Sequence, residues 1–247
     1  MKVTVITPVL NGAKTIADCI NSVKMQDYPN IEHLVIDGCS TDGTLDILNK
    51  TNIKYISEPD TGIYDAFNKG IFYSKGDLIH ILNSDDYYAN SNVVSKVVKI
   101  MIDGEYDIVH GFVKQVDINQ NPVWTIGKDV GKKQLLNKMK VAHPSVFIKK
   151  AVFIKYGGFS VGLKIAGDYD FILRIWDNIN KFFLPETLVL MRMDGVSNKQ
   201  IGLSYRESIA VSIIHGQNIF NACYRYYWEM FKHNYIIIPL RNLGFKK

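Results

Sequence analysis

Asp37, Glu58, Asp60 and the pair Asp85-Asp86 each stand where a short apolar run ends. In an open parallel sheet the carboxyl ends of the strands border the ligand crevice. These carboxylates, with Thr7-Pro8-Val9 after the first run, therefore converge on one edge. Clustered carboxylates repel unless something neutralises them. A hard divalent cation, Mg²⁺ or Mn²⁺, does so by taking one or two carboxylates and completing its shell with phosphate oxygens. Such a metal could bridge a diphosphate and neutralise its charge as a leaving group. The alternative for Asp85-Asp86 is a solvated strand-to-helix turn. No GxGxxG follows the first run and no GxxxxGK[ST] occurs anywhere, so dinucleotide and P-loop chemistry are weakly supported.

The elements that must hold these residues follow from pattern. Residues 3–10 are a β-branched run of the kind buried on both faces, broken by Asn11-Gly12. Ile16, Ile20 and Val23 then recur at helical spacing. Strands are predicted at 33–37, 54–57 and 77–82, with helices at 44–49 and 63–74 between them. This alternation predicts a parallel, doubly wound α/β sheet with right-handed crossovers. It changes after Asp86. A helix is expected over 91–101 and a strand over 107–112. A hairpin is expected from 114–118 and 123–126 around Asn119-Gln120-Asn121-Pro122. Further on come a strand at 145–148, a helix at 167–176 and one long helical candidate at 204–231.

Composition sets the outer bounds. The 247 residues are 47% apolar and 21% charged, an ordinary globular mixture with length for a sizeable core. The net charge of +5 hints at nucleic acid, but its distribution does not support a uniform basic surface. Residues 1–127 carry 10 basic and 16 acidic groups; residues 128–164 carry 9 basic groups, all lysine, and 1 acidic. Residues 199–247 carry 7 basic groups and 2 acidic. No nucleic-acid partner is expected. Cys19, Cys39 and Cys223 are too few and scattered for a disulfide framework or a CxxC metal site, which points to a reducing, cytoplasmic setting. Met1-Lys2 leads straight into an apolar strand, and no run of about 18 apolar residues occurs, so neither leader nor spanning helix is expected.

The motifs add a resemblance. VTVITPVLNGAKTIADCINSV (3–23), VIDGCSTDGT (35–44), EPDTGIYDAFNKG (58–70), GDLIHILNSDD (76–86), AHPSVFIKK (142–150), YGGF (156–159) and GDYDFILRI (167–175) occur in that order. Together they resemble the family 2 glycosyltransferases, nucleotide-sugar-dependent enzymes of GT-A fold. The resemblance implies a mostly parallel central sheet flanked by helices, with a C-terminal helical extension. It divides the chain into a GT-A domain at 1–198, of nucleotide-binding (1–112) and acceptor-binding (113–198) halves, and an extension at 199–247.

It also implies roles. Thr7, Pro8 and Asp37 are expected at the nucleobase pocket, with a carboxylate there favouring uracil. Many members carry a second acid after the first, where this chain has Gly38 and then Cys39. Asp85-Asp86 matches the DxD-type site, with Asp86 expected on Mn²⁺ or Mg²⁺ and Asp85 near the ribose. Glu58 and Asp60 either close the nucleotide pocket or form a polar loop. Lys69 either reaches the nucleotide or solvates its helix, and Asp42 and Asp65 serve helix starts. Asp168 is expected to be the catalytic base of an inverting transfer, taking the acceptor hydroxyl's proton. The usual preceding acid is Gly167 here. Asp170 is placed in the acceptor or diphosphate vicinity, against the alternative that it pairs with Arg174 at i,i+4. His143 and Ser145 are placed near acceptor or diphosphate, against the alternative of a turn histidine.

Residues 204–247 combine Tyr and Trp with Arg225, Lys232, Arg241, Lys246 and Lys247, the composition of an interfacial helix on anionic lipid. Packing on the chain's own domain or on a second copy, as a homodimer, competes with it. A peripheral membrane position would suit a saccharide acceptor carried on a polyprenyl diphosphate. Lack of the QxxRW motif argues against processive polymerisation. The expectation is one sugar moved from a UDP-sugar donor to a hydroxyl in cell-surface polysaccharide or glycolipid synthesis. The rivals are a sugar-phosphate nucleotidyltransferase, which would want a Gly-rich basic loop after the first strand, and a non-catalytic nucleotide- or glycan-binding module.

Overall fold

The computed structural model describes residues 1–117, 119–193, 200–237 and 239. Its first strand, β1 (Val3–Val9), is buried along its whole length. Val3 and Val5 face one core and Ile6 the other, the period-two alternation of a strand covered on both sides. There follow α1 (Ile16–Lys24), β2 (Ile31–Asp37), α2 (Thr44–Thr51), β3 (Lys54–Ser57), α3 (Ile63–Tyr73) and β4 (Leu78–Ile81). These four strands pair in parallel in the order β3-β2-β1-β4. With β2 and β4 on opposite sides of β1, the order reverses at β1, and a crevice opens outside the strands' carboxyl ends. The register brings Val9 level with Asp37, and Asp37 level with Ser57.

Past β4 the sheet is mixed. It continues through β5 (Asp86–Tyr88), α4 (Val93–Asp103), β6 (Ile108–Val116), β7 (Pro122–Ile126) and α5 (Lys132–Leu135). A 3-10 turn (His143–Ser145), β8 (Phe147–Lys149), α6 (Lys150–Tyr156), α7 (Gly167–Ile175) and β9 (Lys181–Arg192) follow. β8 runs antiparallel to both β4 and β6, while β9 is parallel to β6 and antiparallel to β5. The parallel arrangement is thus concentrated in the first four strands, where helices alternate with strands. The hairpin forms between β6 and β7; Ile118 in its first arm lies outside the described residues. The strand expected at 145–148 starts later, because Pro144 and Ser145 belong to the turn. The line between halves at 112/113 runs through β6, and the boundary at 198/199 lies outside the described residues.

The single long helix expected at 204–231 is two helices, α8 (Ile201–Ile214) and α9 (Ile219–Lys232). Gly216 takes a positive φ of 101°, and the Asn218 side chain accepts the N–H groups of Phe220 and Asn221 to start α9. Helices α3, α6 and α7 cover one face of the sheet, joined by Val211 of α8. Helices α1, α2 and α4 cover the other.

Candidate active site

The crevice edge is flanked by two groups of carboxylates, one on each side of β1. On the β2 side Asp37 is fully buried, and its carboxylate accepts the Ser40 N–H (3.1 Å) and the Ser57 hydroxyl (2.6 Å). Asp60 comes in from the loop after β3. A Cβ built on Gly38 would lie 2.7 Å from Asp60 Oδ2, so Asp60 places a carboxylate where the usual second acid is missing. Asp60 Oδ1 accepts from Gly62 N–H at 3.0 Å, which fixes the loop. Glu58 and Lys69 are paired with each other (3.2 Å), and Lys69 also holds the Pro59 carbonyl (2.6 Å) and Asp65 (3.6 Å). Through these contacts the lysine ties α3 to the 58–60 loop.

Thr7 is corrected in one respect. Its hydroxyl points into the sheet's interior, hydrogen-bonded to His33 Nε2 (2.9 Å) and close to Cys19 Sγ (3.6 Å). Burial holds His33 down to about 3, so that ring is neutral. The Thr7 hydroxyl is therefore spent inside the sheet. Asp42 accepts the N–H groups of Thr44 (3.1 Å) and Ala13 (3.0 Å), a helix-start role that also pins the loop after β1.

On the β4 side the turn 83–86 closes with Asp86 N–H to the Asn83 carbonyl (3.0 Å). Asp86 is fully buried and its Oδ2 accepts from the Asn83 amide at 3.0 Å. Burial, then the charge of Asp85, pushes its carboxyl well above the ordinary range. Among the described residues, Asp86 Oδ1 and Asn83 Oδ1 are buried without a hydrogen-bond partner. Asp85 is partly exposed. Arg192, at the end of β9, donates to the Asp85 carbonyl (3.0 Å) and to the Asp18 carboxylate (2.6 Å) and lies over the Tyr87 ring. No group of three or more His, Cys, Asp or Glu among the described residues could hold a metal ion alone. The donor chemistry nevertheless fits a hard cation: unpartnered buried oxygens and an adjoining carboxylate, with room in the shell for phosphate.

The start of α7 packs on the start of α3. Asp168 Oδ1 accepts the Tyr169 N–H (2.9 Å) and is 3.1 Å from the Tyr64 hydroxyl, which is 2.6 Å from the Ile165 carbonyl. The loop before Asp168 is gripped by Glu207 of α8, which accepts the N–H groups of Lys164 (2.9 Å), Ile165 (2.8 Å) and Ala166 (2.9 Å). Asp170 pairs with Arg174, and also with Ser160 (2.7 Å) and with His215 just after α8 (2.9 Å). Burial alone would raise Asp170; the bonds from His215, Ser160 and Arg174 outweigh it and hold the carboxyl below its ordinary value. Asp170 is therefore committed to this network, not turned to an acceptor.

His143 is stacked on Phe67 (centroids 5.5 Å apart) and stands edge-on to Phe159. Burial lowers its pKa, against an opposing pull from Asp168. Ser145 is corrected as well: fully buried, its hydroxyl accepts from Gly111 N–H (3.2 Å) and reaches the Ala142 (2.7 Å) and Gly111 (2.9 Å) carbonyls. It anchors the turn to β6 and is closed off from solvent. Asn68 clamps Phe159 through both its N–H (2.8 Å) and its carbonyl (2.9 Å), joining two motifs 91 residues apart. Sequence reasoning missed the contacts of Tyr64, Arg192 and Glu207, because each partner is remote along the chain.

The C-terminal pair divides its roles. Helix α8 is docked through Glu207, His215 and Val211, and Gln217 after it bonds the Leu136 carbonyl (3.3 Å) and Asn137 (2.9 Å). Helix α9 leaves Phe220, Tyr224, Tyr227, Trp228 and Phe231 exposed, at the spacing of one helical face. Arg241, Lys246 and Lys247 lie outside the described residues. No helix among the described residues is long and apolar enough to cross a membrane.

The fold is that of the GT-A glycosyltransferases. In fold the chain is similar to S. aureus TarS 1-349 in complex with UDP-GlcNAc: TM-score 0.71, 21% identity, 90% of this chain and 69% of that one covered. It is also similar to mannosyltransferase PcManGT from Pyrobaculum calidifontis in complex with GDP-Man and Mn²⁺: TM-score 0.64, 17% identity, 95% and 70% covered. It spans 44% of the longer S. aureus TarS chain. The chain belongs to glycosyl transferase family 2, whose model matches residues 4–196. It is 29% identical over 221 residues to a PGL/p-HBAD biosynthesis glycosyltransferase of Mycobacterium bovis (strain BCG / Pasteur 1173P2), covering 85% of this chain and 84% of that protein. An uncharacterized glycosyltransferase of Mycobacterium tuberculosis (strain CDC 1551 / Oshkosh) is 33% identical over 177 residues, 70% of this chain and 68% of that protein. Family membership sets aside the nucleotidyltransferase alternative.

Proposed function

We propose that the protein is an inverting glycosyltransferase that moves a single sugar from a UDP-sugar donor to a hydroxyl of a lipid-linked saccharide. The observation that carries the reading is Asp168: a carboxylate at the start of α7 whose two hydrogen bonds both fall on Oδ1. Among the described residues Oδ2 has no partner, and it is the oxygen that takes a proton.

The nucleoside is held on the β2 side, with Asp37 and Asp60 as carboxylate acceptors for base and ribose and the Thr7-Pro8 backbone as floor. The diphosphate is held on the β4 side. Asp86, with Asp85 adjoining, would hold Mn²⁺ or Mg²⁺, and the cation supplies charge neutralisation to the leaving diphosphate. The complexes of TarS 1-349 with UDP-GlcNAc and of PcManGT with GDP-Man and Mn²⁺ are compatible with this division. Asp168 takes the acceptor hydroxyl's proton as that oxygen attacks the anomeric carbon. The bond from that carbon to the diphosphate oxygen breaks on the opposite side, and the configuration inverts. His143, stacked on Phe67 and edge-on to Phe159, borders the acceptor. The exposed aromatic face of α9, with Arg225 and Lys232, meets the cytoplasmic membrane surface that carries the acceptor; a second copy of the chain is the competing occupant.

Asp168→Asn tests the core of the proposal. Transfer should fall by about 10²–10⁴-fold, while UDP-sugar affinity by calorimetry stays within twofold of the parent. Unchanged transfer removes Asp168 as the base. A parent chain that binds UDP but transfers to no acceptor favours the non-catalytic module.

A further inference from the structure

Gly167 stands where the resembling family usually has an acid, and the structure gives a steric reason. A Cβ on Gly167 would lie 2.7 Å from Cδ2 and Cε2 of the Tyr64 ring, closer than any side chain can sit. That ring is wedged against Phe159 (stacked, 5.9 Å) and Phe67 (edge-on, 5.5 Å) and is buried. Its hydroxyl has one hydrogen and two acceptors within reach, Ile165 O at 2.6 Å and Asp168 Oδ1 at 3.1 Å.

We propose that Tyr64 is the positioning residue of the base, its single hydroxyl hydrogen turning to Asp168 when that carboxylate is charged and to the Ile165 carbonyl when it is not. This rests on the reading of Asp168 as the base. While Asp168 is ionised, the O–H donates to Oδ1, which favours the charged form and fixes the carboxylate's orientation. When the acceptor's O–H bond breaks and an O–H bond forms at Oδ2, Oδ1 loses most of its charge. The tyrosine hydrogen then rotates to the nearer carbonyl; its own O–H bond never breaks. Burial, with the Asp168 charge behind it, pushes the Tyr64 phenol far above its ordinary value, so it remains a donor throughout.

The other groups around Asp168 are already engaged. From its own helix come the Tyr169 N–H, bonded to Oδ1, and Asp170, closed by Arg174, Ser160 and His215. From the 3-10 turn comes His143, kept neutral by burial. From α8 comes Glu207, spent on three backbone N–H groups. Among the described residues, Tyr64 is the side chain that donates to Asp168.

The test is the pH profile of kcat/KM for Tyr64→Phe, which keeps the ring packing and loses only the hydroxyl. Removing that donor takes a hydrogen bond away from the charged carboxylate, so the acid limb should move to higher pH. At neutral pH kcat should fall roughly tenfold with donor KM unchanged. A folded Tyr64→Phe enzyme whose acid limb stays in place overturns the proposal, because a purely structural role would lower the rate equally at every pH. If Tyr64→Phe does not fold, Gly167→Ala gives the same readout, since its methyl displaces the ring. An unmoved limb there is equally fatal. The parent reading fails separately, if Asp168→Asn still transfers sugar.

Discussion

The two sides of the crevice are built differently. On the candidate donor side the carboxylates sit at or just beyond the ends of the parallel strands β2, β3 and β4, and register alone brings Val9, Asp37 and Ser57 level. On the side of the candidate base, Asp168 begins a helix whose approach is set by side chains from far along the chain. Tyr64 is 104 residues away, and Glu207 grips the three residues before the helix. Backbone hydrogen bonding makes the donor side tolerant of change in individual side chains; what such changes alter is ligand chemistry. The base side is clamped, so residues that touch no substrate control its geometry.

The largest effect expected from this difference is at Asp86. Asp86→Asn removes a buried charge whose Oδ1 has no partner among the described residues, and it keeps the Asn83 contact within reach. UDP affinity measured by calorimetry in Mn²⁺ should fall by about 100-fold or more. The unliganded protein should melt no lower than the parent, since a desolvated, unpaired carboxylate costs stability. Equal UDP affinity with and without divalent cation in the parent would sink the metal assignment. A large drop in melting temperature would show that the donor side is clamped after all.

A smaller effect is expected at Glu207. Glu207→Ala leaves three adjacent backbone N–H groups without their carboxylate, at a cost of about 2 kcal/mol. For a chain of this size that lowers Tm by about 4–8 °C. Because the released loop leads into Asp168, kcat should drop roughly tenfold while UDP-sugar affinity holds. Donor affinity falling in step with kcat would erase the distinction between the two sides.

The same contrast explains what could be read in the sequence. The strands β1 to β4 and their terminal acids were legible because an apolar β-branched run closed by an acid is local information. The strand β9 was not foreseen. Pro185 and Glu186 interrupt its apolar pattern, where the register with β6 also shifts. The break between α8 and α9 had a signal, a glycine followed two residues later by an asparagine, that the run of flanking aromatics obscured. Ser145 and Thr7 stand in the motifs, yet their hydroxyls serve the backbone and His33. Motif identity shows where a residue sits; which way its side chain turns depends on partners such as Gly111 that no local pattern announces. The pairing of Gly38 with Asp60 and of Gly167 with Tyr64 is legible only in three dimensions, since each missing side chain is answered from another element.

The least perturbing change lies where neither kind of positioning operates. Phe220 is 81% exposed, Tyr224 and Tyr227 70% each, and Trp228 48%, so this face of α9 contributes little to the chain's own core. Combining Tyr224→Ser, Tyr227→Ser and Trp228→Ser should leave Tm within about 2 °C, as exposed positions do. Transfer to a soluble acceptor analogue should be unchanged, because α8 and not α9 grips the loop before Asp168. Sedimentation with anionic liposomes should fall, since interfacial binding scales with buried apolar area and with nearby Arg and Lys. Liposome binding equal to the parent's, combined with a dimer that the triple variant dissociates in analytical ultracentrifugation, would assign this face to a second copy. A loss of transfer to the soluble acceptor would be the more damaging result, since it would put α9 among the clamps and extend the base side to the end of the described chain.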